Sequence, residues 1–73
     1  MAVQIVMDRT GDTRHEFNSA DPASVAEAER RFQQLTRTGF TAAVRTGEGR
    51  AERIRLFDAS TDESLFFPRL QSG

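Results

Sequence analysis

The chain has 73 residues, ten basic and eleven acidic side chains, and a net charge of −1, a near balance that argues against gross electrostatic capture by nucleic acid or membrane. So short a chain is expected to form one domain that buries only about 60% of its unfolded surface. That leaves no room for a deep, walled substrate pocket beside a packed core. Cysteine is absent, so disulfides, thiolate metal sites and thiol nucleophiles are excluded.

Val3, Ile5 and Met7 alternate with Gln4 and Asp8, the period-two pattern of a half-buried strand, and these three apolar residues are expected in the core. Arg9-Thr10-Gly11-Asp12 supplies a hairpin turn. Thr13-Arg14-His15-Glu16-Phe17 then resumes the alternation, with Thr13, His15 and Phe17 on one side. Asp21-Pro22 marks a helix start, because an aspartate caps free N–H groups and proline suits the first turn. Val25, Ala28, Phe32 and Leu35 form the apolar stripe of that helix, Glu27 and Arg31 stand in the favourable i,i+4 order, and Thr38-Gly39 ends it.

Phe40, Ala42 and Val44 alternate in a third strand, Gly47-Glu48-Gly49 turns the chain, and Ile54 and Leu56 continue the core from a fourth. A polar turn over residues 58–63 leads to a short strand at Leu65-Phe66-Phe67, one of whose phenylalanines enters the core. Pro68 suits an edge or a strand end, because it cannot donate to a ladder. Residues 1–68 are thus expected to form one α+β domain of order ββαββ(β), two layers with a single helix on one face of a four- to five-stranded sheet. Residues 69–73 are expected to be a flexible tail.

The chain resembles the ubiquitin-like β-grasp family. Gln4-Ile5 opens the first strand, Thr10-Gly11-Asp12-Thr13 is similar to the family's Thr-Gly-Lys-Thr turn, and Arg55-Leu56-Phe57 is similar to its Arg-Leu-Ile-Phe strand. Leu65 to Gly73 resembles a last strand running into Arg-Leu-Arg-Gly-Gly, with Ser72 where the family has the first glycine. The resemblance implies a β-grasp fold, no catalysis by the chain itself, and docking to other proteins. It also implies a modifier or carrier role, in which an activating enzyme engages the carboxylate of Gly73.

His15 is the one side chain that titrates near neutrality unperturbed. Catalysis by it needs an orienting partner and a nucleophile, and a strand histidine at the core edge is the simpler reading. Glu27 and Glu29 diverge on a helix, and Asp62 and Glu63 sit in a turn, so neither pair makes an acid–base couple. No catalytic residue, metal ligand or cofactor is therefore assigned. Gly47-Glu48-Gly49 joins strands and opens no helix, so it is a hairpin and not a phosphate loop.

Arg45, Arg53, Arg55 and Phe57, with Arg14 nearby, are expected on the sheet face opposite the helix. With Arg69 and Leu70 of the tail they are the candidate protein-binding residues, arginine and aromatics being favoured interface anchors. Stacking of single-stranded nucleic acid on the same face is the alternative, demoted by the absence of net positive charge. The plain reading of the face is a solvated surface with cross-strand pairs such as Arg53 or Arg55 with Glu16 or Glu52. All ten basic residues are arginine, a bias that GC-rich, bacterial-type coding explains. The first residues have neither a basic region nor a long apolar run, so no signal peptide or membrane span is expected and a cytoplasmic setting is.

Overall fold

Asp8 closes the first turn. Its Oδ1 accepts from the Thr10 N–H at 2.8 Å and the Thr10 hydroxyl at 2.6 Å, and Gly11 takes a φ of +126° that a side chain would resist. The two arms of this hairpin are β1 (Ala2–Asp8) and β2 (Gly11–Phe17). The computed structural model describes residues 1–68; the expected tail, with Arg69, Leu70 and Gly73, lies outside them.

The helix α1 (Pro22–Arg37) starts where the capping chemistry places it. Asp21 is extended, and its carboxylate accepts from the Ala23 N–H at 3.1 Å, with Pro22 in the first turn. At the other end Gly39 has φ +104°, and its N–H reaches the Thr36 carbonyl at 3.3 Å. The chain then runs through β3 (Phe40–Gly47), β4 (Arg50–Ile54) and β5 (Glu63–Pro68).

The five strands form one mixed sheet in the order β2-β1-β5-β3-β4. β5 lies in the middle, parallel to β1 and antiparallel to β3. Phe66 of this strand faces α1, and Leu65 and Phe67 lie on the other face between β1 and β3. Pro68 is tolerated because it is the last position of the ladder, opposite Phe40. The helix covers one face only. The architecture is the expected two-layer, β-grasp-like α+β arrangement.

The core lies between α1 and that face. Phe66 is fully buried, packed with Val6, Phe32 and Ala42. Ala2, Phe17 and Ala28 make a second cluster, and Phe57 joins the two. Four rings run in sequence through the interior. Phe66 meets Phe32 at 5.8 Å, Phe32 meets Phe57 at 5.9 Å, both edge-on, and Phe57 meets Phe17 at 6.0 Å. Edge-to-face and tilted contacts suit the quadrupoles of the rings.

Two expectations about the core are corrected. Val3, Ile5 and Met7 do not face the helix; Ala2, Gln4 and Val6 do. Gln4 is inside because its amide is satisfied there, with Nε2 donating to the Ala28 carbonyl at 3.0 Å and Oε1 accepting from Arg31 Nη1 at 2.9 Å. A buried amide with both ends bonded carries no desolvation penalty large enough to expel it. No ion pair joins Arg31 to Glu27. Leu56 is the second correction. β4 stops at Ile54, so the alternation breaks; Leu56 is 82% exposed, and Phe57 enters the core in its place.

Candidate functional site

The face that α1 leaves uncovered is laid out by the pairing registers. Across the middle of the sheet the neighbours are Arg14, Ile5, Leu65, Ala43 and Arg53, one from each strand. Toward one end, Glu16 and Val3 adjoin Glu63, and Arg45 pairs with Ala51. Toward the other, Met7 pairs with Asp12 and Phe67 with Thr41. The three inner strands thus present Val3, Ile5, Met7, Leu65, Phe67 and Ala43, with Thr41, Arg45 and Glu63 at the ends of β3 and β5, and the outer strands present Asp12, Arg14, Glu16 and Arg53.

The apolar residues of this stripe shield one another. Ile5 is only 7% exposed and Ala43 2%, although no helix lies above them. Neither belongs to the two core clusters under α1, so their cover comes from same-face neighbours. For Ile5 these include Leu65 and Arg14, whose stem can lie along apolar surface while its head stays in water. Val3, Met7, Leu65 and Phe67 remain half-buried.

Of the expected binding residues, the structure brings Arg45 and Arg53 to this face, with Arg14 at the far edge. Arg45 is already engaged. Its Nε donates to Glu63 Oε2 at 2.8 Å, an exposed pair worth about 0.2–1 kcal/mol. Arg53 lies across the sheet from Glu16, on the opposite edge strand, so the expected cross-strand pair between them cannot form.

Arg55 and Phe57 are not on the open face. Arg55 follows the last residue of β4 and lines a cleft with Thr36, Gly39 and Phe40 near the end of α1. Phe57 is in the interior between Phe17 and Phe32. Both fail for one reason, the end of the strand at Ile54. Residues 69–73, including Arg69, Leu70 and Gly73, lie outside the described residues.

The stripe itself went unassigned in the sequence reading, yet two signals point to it. β1 is apolar at both parities, with Ala2 and Val6 on one side and Val3, Ile5 and Met7 on the other. The run Leu65-Phe66-Phe67 leaves no polar face at all. A strand apolar on both faces belongs inside a sheet that is apolar on both faces.

On the helix side, His15 and Arg31 line a cleft between the hairpin and α1. Burial, and then the Arg31 charge, hold the His15 pKa below its ordinary value. Thr13 and Thr38 share the cleft, but among the described residues no hydrogen bond orients the imidazole. Among the described residues no three His, Cys, Asp or Glu side chains cluster as metal ligands, and no helix is long and apolar enough to cross a membrane. Comparison with protein-family models, curated proteins and solved structures finds no match to this chain.

Proposed function

We propose that this chain is a non-catalytic, ubiquitin-like protein-interaction module whose open sheet face docks a partner protein. One observation carries the reading: the uncovered face holds a continuous apolar stripe over its three inner strands, flanked by Arg14 and Arg53 on the two edge strands. Interfaces have this anatomy, an apolar centre with a polar rim in which arginine is favoured. The order of elements and the single helix support the ubiquitin-like reading, and a cytoplasmic setting fits a chain without cysteine. Conjugation through Gly73 concerns residues outside the described ones, and the proposal stands on the face alone.

The nucleic-acid alternative loses support. It needs several aromatic platforms among the arginines, but Phe57 and Phe66 are inside, Arg45 is paired with Glu63, and the ring on this face among the described residues, Phe67, stands beside Thr41. The test is affinity capture from the producing organism with the wild type, Leu65→Glu and Gln33→Glu, the last on the exposed side of α1. Partner recovery is expected to fall about fivefold or more for Leu65→Glu alone, a buried contact being worth about 1 kcal/mol or more at an interface centre. Equal recovery by all three folded proteins counts against the proposal.

A further inference from the structure

The cleft between α1 and the outer hairpin strand carries a charge, that of Arg31, with no salt-bridge partner among the described residues. Arg31 is half-buried and held by a neutral acceptor, Gln4 Oε1, at 2.9 Å. That bond fixes the guanidinium without pairing its charge. Its remaining N–H donors have no partner among the described residues. Gln4 is the one buried polar side chain on the helix-facing side of β1, flanked there by Ala2 and Val6. An apolar residue would fill that space, whereas Gln4 fixes the position of Arg31.

No carboxylate lines the cleft, whose rim is Thr13, His15, Arg31, Gln34 and Thr38 and whose floor is Val6 and Leu35. Strand alternation sends Asp12 and Glu16 to the opposite face of the sheet. Glu27 lines an adjoining depression with Arg30, Arg31 and Gln34, and no ion pair joins it to Arg31. A fixed cation, hydroxyl and amide groups, and an apolar floor converge on about 310 Å³ of space, at the small end of ligand sites.

We propose that this cleft binds a small oxyanion carried on a short apolar body, a carboxylate foremost. Arg31 anchors the charge, Thr13, His15 and Gln34 supply further hydrogen bonds, and Val6 and Leu35 pack the body. The site lies across the sheet from the docking face and does not rest on it. Binding draws a proton onto His15, because an anion offsets the repulsion from Arg31. The charged group facing His15 is Arg31 from α1; Gln4 and Val6 from β1 are uncharged, and β2 is an edge strand with no neighbour beyond it. Affinity therefore rises as pH falls through the histidine range.

The experiment uses 1-butanesulfonate, which stays ionised throughout, and 1-butanol as its neutral counterpart, followed by chemical-shift titration of the labelled protein. Saturable shifts at His15, Arg31 and Leu35 are expected with the sulfonate at about millimolar affinity, as suits so few atoms in an open cleft. Arg31→Met weakens binding about tenfold or more. Lowering the pH from about 8 to about 5.5 strengthens it in the wild type, and His15→Gln flattens that profile without touching the Gln4–Arg31 bond. Butanol binding as well as the sulfonate, shifts that never saturate, or a pH profile unchanged in His15→Gln each overturns the assignment.

Discussion

Replacing Phe57 by alanine separates the two places this ring was assigned. On the open face the change would touch docking and cost little stability. In the interior it removes the ring that joins the two core clusters and contacts Phe17 at 6.0 Å and Phe32 at 5.9 Å. A fully buried phenylalanine truncated to alanine costs about 3–5 kcal/mol. Phe57 is half-buried, so the expected loss is about 2–4 kcal/mol. Domains hold about 0.05–0.15 kcal/mol per residue, so a chain of 73 residues would lose about a fifth or more of its stability. The midpoint of thermal unfolding should drop by about 10–30 °C. The neighbouring Leu56→Ala, at an 82% exposed position, should stay within about 0.5 kcal/mol of the wild type. Urea titration and thermal melts followed by circular dichroism read both variants. Equal costs at the two positions, or a loss below about 1 kcal/mol at Phe57, would refute the placement of the chain after β4.

Three further outcomes are expected. Asp21→Ala removes the acceptor for the Ala23 N–H and should cost about 1 kcal/mol by urea denaturation, with no effect on open-face docking. Because the His15 pKa is lowered in the folded state, the unfolded chain binds more protons near neutrality. Stability should therefore fall as pH drops below the ordinary histidine value and level off past the folded one; paired urea titrations of the wild type and His15→Gln should lose that slope in the variant. The hydrogen bonds from the Thr10 hydroxyl, foremost, and from its N–H hold the Asp8 carboxyl below the ordinary aspartate range. Thr10→Ala should raise it, as read by carboxyl-carbon NMR titration, and an unmoved pKa would exclude the hydroxyl as the main cause.

Where local chemistry dictates local structure, the sequence was legible. Asp21-Pro22 and Thr38-Gly39 bound the helix within a residue, the spacing of Val25, Ala28, Phe32 and Leu35 identified its buried side, and Gly11 and Gly49 marked turns where positive φ is needed. The failures share a physical source: which face of a two-sided strand meets the helix depends on contacts far along the chain. Val3, Ile5 and Met7 looked like the inner set because Gln4 is polar. The partners that satisfy Gln4, the Ala28 carbonyl and Arg31, lie 24 and 27 residues away. Alternation likewise placed Leu56 inside, since nothing in Arg53-Ile54-Arg55-Leu56-Phe57 marks where pairing stops. Of the expected site, Arg45 and Arg53 reached the open face and Arg55 and Phe57 did not. The apolar stripe between the arginines is not legible in the sequence because the alternation assigns its β1 members, Val3, Ile5 and Met7, to the core.

Photo-crosslinking from single positions tests the docking face most directly. A photoreactive amino acid at Met7, on the open face, and another at Gln33, on the exposed side of α1, are irradiated in the producing cells. The account predicts one defined protein adduct from Met7, suppressed by excess wild-type protein but not by excess Leu65→Glu, and no matching adduct from Gln33. The same adduct from both positions, or suppression by Leu65→Glu as strong as by wild type, would contradict it.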